Sequence, residues 1–233
     1  MAIDPLLILE NEITRCRLCP RLVAWREQVA ETRRRAYRSQ AYWGRPVPGF
    51  GDADARILII GLAPGAHGSN RTGRMFTGDA SGEFLYPALY QAGFASQPTA
   101  LELGDGLRLR DAWITAVCRC APPDNKPTPQ EIHNCRAYLL REAAELRRVQ
   151  GIVALGKLAY DQTVRNLITP ENGQSAPDFG HNVLWVPEGG KPWLLASYHP
   201  SRQNTQTGRL TPALFAAIWQ RCRELLENPP QTA

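Results

Sequence analysis

Ile57-Leu58-Ile59-Ile60 is an unbroken apolar run that stops at Gly61 and leads into a loop with a second glycine, Gly65. A strand with no polar side chain on either side is buried on both faces, and sheets of that kind are parallel sheets covered by helices. Further strands are expected at Ala112 to Cys120, Gly151 to Leu155 and Trp193 to Ser197, with helical patterns between them. The alternation predicts an α/β fold in which a mostly parallel central sheet carries helices on both faces. Such sheets bind their ligands at the carboxyl ends of the strands, where a strand runs into a glycine turn. The stretch from Ile57 to Gly82 is therefore the first place to look for function. It holds one acidic side chain, Asp79, close to an aromatic one, Phe76.

Local signals place the remaining elements. Asp4 followed by Pro5 reads as an N-cap and first helical residue, so a helix is expected to about Ile13. A second, strongly basic helical stretch runs through Arg35 and carries Arg21, Arg26, Arg33, Arg34 and Arg35, with Arg38 just beyond. Tyr42 to Gly51 reads as a Pro/Gly-rich loop ahead of the first central strand. Ser81 or a neighbour is expected to cap a helix over Glu83 to Ala92. The prolines of Pro122 to Pro129 exclude regular structure there. Thr128, Pro129 and Glu131 form a capping-box pattern that starts a helix to about Arg148. A helix is expected over Lys157 to Leu167, a loop over 169 to 192 with a hairpin around Asn182 to Val186, and a last helix from Thr211-Pro212 to Glu227. The tail from Asn228 is expected to fray. A length of 233 residues suits one domain, with about the first 50 residues as a helical segment in front of the sheet.

The formal net charge is +5, and 24 of the 27 basic residues are arginine. Guanidinium forks match phosphate oxygens two at a time, so the bias points to a phosphate-rich partner, nucleic acid foremost. No run of 18 apolar residues is present, and the first residues lack the pattern of a secretion signal. A cytoplasmic protein with no membrane association is expected, a monomer by default. Six cysteines in such a chain are better read as thiolate ligands or apolar fillers than as a disulfide framework.

Cys16 and Cys19 form C-x2-C, while Cys120 and Cys135 join the end of a strand to the helix after it. Together the two pairs make a four-thiolate site that ties the amino terminus to the core. Spacing does not separate zinc from an iron-sulfur cluster, because both accept four thiolates. Cys118, two residues before Cys120, complicates the choice; it and Cys222 are read as buried fillers.

The fourth strand ends in Ser197-Tyr198-His199-Pro200-Ser201-Arg202-Gln203-Asn204. His199 thus stands at a strand carboxyl end, beside the first loop if the sheet is parallel, and ahead of a polar loop suited to a DNA backbone. The combination of GLAPG (Gly61, Leu62, Ala63, Pro64, Gly65), FTGDASG (Phe76 to Gly82), CAPPDNKPTP (Cys120 to Pro129) and HPSRQNTQTGRLT (His199 to Thr211), with the four cysteines, closely resembles the family 5, B-type, uracil-DNA glycosylases. The resemblance covers about Cys16 to Trp219, with the motifs in the family's order.

The resemblance implies a three-layer α/β/α sandwich with a central four-stranded, mostly parallel sheet. It implies a [4Fe-4S] cluster on Cys16, Cys19, Cys120 and Cys135, with zinc as the second candidate. It implies base excision repair by hydrolysis of the N-glycosidic bond to uracil in DNA, and activity on other deaminated bases such as hypoxanthine. In the corresponding mechanism the target base is flipped out of the duplex. Phe76 offers the face for the base, and the main chain of Gly61 to Gly65 with His199 holds the base oxygen. Asp79 steadies the sugar cation and orients water, and Asn125 is a weaker candidate for contact with the base edge or the water. Ser201, Arg202 and Asn204 would grip the DNA. Related families place an acidic or amide side chain directly after the first glycine of this motif; here Leu62 and Ala63 stand there, so the role falls to Asp79. Two readings compete. A nucleotide-binding α/β protein would need G-x-x-x-x-G-K-[ST] or G-x-G-x-x-G, and neither is present. A non-catalytic DNA-binding module would use the thiolate site only as a staple.

Overall fold

The computed structural model describes residues 4–170 and 173–230. The chain opens with helices α1 (Pro5–Thr14) and α2 (Pro20–Thr32), then strands β1 (Phe50–Gly51) and β2 (Ile57–Gly61), and helices α3 (Ser69–Thr72) and α4 (Ala80–Gln91). It continues through β3 (Ala112–Ala116), α5 (Pro129–Glu145), β4 (Gly151–Leu155), α6 (Lys157–Asn166), β5 (Leu184–Trp185), β6 (Trp193–Ser197), α7 (Arg202–Gln206) and α8 (Pro212–Glu227). Of the tail expected to fray, 231–233 lie outside the described residues.

The expected parallel core is present as β3-β2-β4-β6, in which each neighbouring pair is parallel. All of its residues are buried, as an apolar run without alternation requires. The side chains divide the core in two. Ile57, Ile59, Ile114, Val153 and Leu195 meet Leu85 and Leu89 of α4 and Phe215, Ile218 and Trp219 of α8. Leu58, Ile60, Ile152, Ala154 and Leu194 meet Leu139 of α5 and Ala159 and Tyr160 of α6. Two helical layers thus enclose the sheet.

The sheet has six strands rather than four. The added ones are short edges that run antiparallel: β1 pairs with β3, and β5 pairs with β6. β1 lies at the end of the segment expected to be loop. It reaches β3 because residue 51 is glycine: a Cβ there would fall 2.3 Å from the Ala112 carbonyl oxygen. The expected hairpin near Asn182 to Val186 exists only as β5 against β6. The second central strand stops at Ala116, short of Cys120, because the chain turns toward the first loop, with the Val117 and Cys118 N–H groups donating to the Gly61 and Leu62 carbonyls.

Caps account for most helix starts. Asp4 accepts from Leu6 N, Thr128 and Glu131 close the capping box, and Thr211 accepts from Leu214 N. α2 ends at Thr32, before Arg35, because Arg33 adopts φ 51, a left-handed conformation that no helix continues. Its basic face is partly consumed internally. Arg21 holds Glu131 through two hydrogen bonds of 2.8 and 2.7 Å, and Arg26 is buried.

Buried ion pairs fix the loops. Arg74 holds Asp105 with two bonds of 2.8 and 2.7 Å, and Arg119 meets Glu142 at 2.6 Å. Burial alone would raise the Asp105 pKa, but Arg74 and the N–H groups of Leu101 and Leu107 outweigh it and hold the carboxyl well below its ordinary range. A group so depressed contributes stability that is present above its unfolded pKa and is lost as pH falls toward the folded value. Asp105→Ala is expected to cost about 3–5 kcal/mol by leaving Arg74 buried and unpaired. In urea titrations the gap between variant and parent should be full at neutral pH and narrow below about pH 4. An unchanged gap at acid pH would remove this account of the loop.

Candidate active site

In chain order the parallel strands lie as second, first, third, fourth, so the direction of winding reverses between β2 and β4. Such a switch point opens a crevice at the strand carboxyl ends, and the loops after β2 and β4 flank it. Gly61 closes β2 and Gly156 follows β4. A Cβ on Gly61 would lie 2.8 Å from Phe76 Cζ, and one on Gly156 would lie 3.4 Å from His199 Cβ. The Phe76 and His199 rings touch, with centroids 5.7 Å apart and planes tilted by 31°. Residues from the first loop and from the end of β6 therefore meet at the crevice.

Phe76 is 8% exposed and belongs to the α4/α8 side of the core, so its ring is packed rather than open. Its φ of 52 is unusual for an aromatic residue and has to be held by its surroundings. Tyr86 donates to the Met75 carbonyl at 2.8 Å, and Arg74 donates to Thr77 at 3.0 Å. Gly82 lets the first turn of α4 lie against the Phe76 carbonyl oxygen, which a Cβ would approach to 1.8 Å.

Asp79, not Ser81, is the N-cap of α4. Its Oδ1 accepts from Ser81 N and Gly82 N, each at 3.1 Å. Its Oδ2 has no hydrogen-bond partner among the described residues and faces the glycine loop. A Cβ would fall 1.9 Å from it at Gly68 and 2.8 Å at Gly65. Burial raises the Asp79 pKa, and the two cap N–H groups oppose that shift. In the same loop the main-chain N–H groups of Ala63, Gly65 and Ala66 have no partner among the described residues. Leu62 and Ala63 bring apolar side chains, and Pro64 is buried.

Burial pushes His199 down to about 4, so its imidazole is neutral at physiological pH. Its carbonyl is tied by Ser201 N and by Asn204 Nδ2, both at 2.8 Å. Ser201 also caps α7, accepting from Asn204 N at 3.4 Å. Ser201 and Asn204 thus shape the His199 turn, while Arg202 is exposed at the start of α7. Asn125 lies in an exposed turn at φ 56, and no described bond or ring contact joins it to Phe76, Asp79 or His199. The sequence reading missed Gly68 and Gly82, whose signal was only their place within a glycine-rich loop.

Cys16, Cys19, Cys120 and Cys135 line one cavity, while Cys118 lies outside it. Cys118 is buried and hydrogen-bonds Cys135, which keeps its own thiol protonated. Cys222 is buried under α8. Three of the four sulfurs accept N–H groups: Arg26 Nη1 to Cys120 at 2.8 Å, Arg119 N to Cys135 at 3.3 Å and Asn134 Nδ2 to Cys19 at 3.5 Å. The donor set suits a thiolate-bound inorganic group, and the buried Nε of Arg26, which also lines the cavity, has no partner among the described residues. The space between the sulfurs is narrow, about 10 Å³. Among the described residues no three His, Cys, Asp or Glu side chains are grouped tightly enough to hold a single ion.

A doubly covered parallel sheet that brings a half-buried carboxylate and a neutral imidazole to its switch point supplies groups suited to acid–base chemistry. The sequence profile of the uracil DNA glycosylase superfamily matches residues 48–223. The chain is 54% identical over 213 residues to the type-5 uracil-DNA glycosylase of Thermus thermophilus, covering 91% of this chain and 94% of that one. It is 49% identical over 214 residues to the type-5 enzyme of Mycobacterium bovis, with 91% and 79% covered. To that of Pyrobaculum aerophilum it is 44% identical over 211 residues, with 91% and 89% covered. The chain belongs to the uracil DNA glycosylase superfamily and, within it, to the type-5 group. No described helix is long and apolar enough to cross a membrane.

An NMR titration of the His199 ring is expected to stay flat from pH 8 to about pH 5 and to turn only near the depressed value. A midpoint close to the ordinary value of about 6.5 would mean that the surroundings of the ring do not disfavour its charged form.

Proposed function

We propose that this protein is a monofunctional DNA glycosylase that flips uracil out of DNA and hydrolyses its N-glycosidic bond. One observation carries the reading: Asp79 spends one oxygen on the α4 cap and turns the other, unpartnered, to the glycine loop beside the Phe76–His199 pair. As the bond from the sugar C1′ to the base nitrogen breaks, the base leaves with the electron pair. The free N–H groups of the Ala63–Ala66 loop and the neutral imidazole of His199 can donate to the base oxygen on which the charge collects. The carboxylate of Asp79 opposes the positive charge on the sugar, orients a water toward C1′ and takes its proton, leaving an abasic site and free base. Phe76 would meet the base through the edge left open beside His199.

Asp79→Asn separates chemistry from folding, because asparagine caps a helix as well as aspartate does. Release of uracil from a duplex is expected to fall by about 10²–10⁴-fold, with duplex binding and thermal stability nearly unchanged. In the parent the rate should fall as pH drops through the Asp79 pKa, above the ordinary 3.8, as the carboxylate is protonated. An undiminished rate in Asp79→Asn would refute the assignment. Leu62 and Ala63 offer no polar side chain to select one base, which supports release of hypoxanthine as well; a panel of uracil, hypoxanthine and thymine duplexes reads this directly.

We infer also that Cys16, Cys19, Cys120 and Cys135 hold a [4Fe-4S] cluster, which would staple the amino-terminal helices to β3 and α5. The support is four sulfurs arranged around a cavity, three of them receiving N–H bonds, rather than crowded onto one point. Anaerobically purified protein should contain iron and acid-labile sulfide in equal amounts; zinc without sulfide would overturn the inference.

A further inference from the structure

A second recess lies between the end of α1, the second half of α2 and the segment around Trp43. It is a groove of about 480 Å³ lined chiefly by Arg15, Arg17, Arg26, Glu27, Trp43 and Arg45. Four guanidinium groups face one carboxylate there. Glu27 is engaged by Arg17, through bonds of 2.5 and 3.1 Å, and lies 3.8 Å from Arg26, whose Nη1 is turned to Cys120. Arg15 and Arg45 are exposed, and their guanidinium groups have no hydrogen-bond or ion-pair partner among the described residues. Arg45 lies over the Trp43 ring at 5.5 Å, which orders the charge without neutralising it.

The wall of this groove is bonded to the catalytic loop. Trp43 N donates to the Arg71 carbonyl at 2.8 Å and Gly44 N to the Asn70 carbonyl at 3.0 Å, so the segment is laced along α3. α3 follows Gly68, the residue against which Asp79 Oδ2 lies. The groove wall and the Asp79 loop are thus joined through α3.

We propose that this groove binds the DNA phosphate backbone flanking the target nucleotide, with Arg15 and Arg45 as its phosphate-holding groups. The inference rests on the glycosylase reading for its ligand. Free guanidinium forks match phosphate oxygens, and about 480 Å³ is more space than one phosphate fills. Inorganic phosphate presents the same chemistry, so the test has an arm for it.

The full-length Arg15→Gln/Arg45→Gln variant is compared with the parent on uracil-containing and uracil-free duplexes across a range of salt. The expected result is about tenfold weaker binding to both duplexes and a logarithmic salt slope shallower by about 1–2, roughly one unit per lost phosphate contact. Single-turnover uracil release at subsaturating DNA should fall by about the same factor as the binding. Equal affinity and slope in the two proteins would overturn the proposal. So would a Trp fluorescence response to inorganic phosphate that vanishes in the variant while its DNA slope is kept, because the groove would then be a small-anion site. A parent that binds DNA with the expected slope but releases no uracil would defeat the glycosylase reading and leave the groove standing.

Discussion

Every residue of the four central strands is buried, so no polar side chain of the sheet can reach a ligand except at its ends. That constraint decides where chemistry can occur. The reversal of winding between β2 and β4 then selects one place along the carboxyl edge, and Gly61 and Gly156, having no side chains, leave room there for Phe76 and His199. Asp79 and His199 are remote in sequence but reach this edge from opposite sides of the switch. Burial acts on both in the direction of the neutral form, raising the carboxyl and lowering the imidazole.

Arginine serves this protein in two ways. Arg26, Arg71, Arg74 and Arg119 are buried and act as multi-pronged struts. Arg71, for example, reaches the His67 carbonyl, Gln40 and the Gly78 carbonyl while stacking on Tyr37. A lysine could not span three acceptors in a fixed plane. The remaining positive charge stays outside, so the net charge of +5 understates how selectively it is placed.

The central strands were legible because their runs are apolar without alternation, and the caps at Asp4, Thr128 and Thr211 because each precedes a proline. The edge strands were not, since two residues carry no period. Asp79 was read as the carboxylate that steadies the sugar cation and orients water; the fold also gives it the α4 cap and leaves a second oxygen free, a division invisible in sequence. Phe76 was read as an open face but is packed, because Gly61 and Gly82 draw the chain tightly around it. Ser201 and Asn204 were read as DNA contacts, and their hydrogen bonds go to their own turn. The Arg74–Asp105 and Arg119–Glu142 pairs join residues 31 and 23 positions apart with no motif to mark them.

The cap at Asp79 has a consequence for how damage to this protein would be noticed. The helix reads the side chain only as a hydrogen-bond acceptor, whereas the chemistry proposed for it depends on its charge. A chain that lost the charge and kept the acceptor would fold, persist and occupy its substrate while leaving the lesion in place. Cellular quality control, which inspects stability, has no means of removing it.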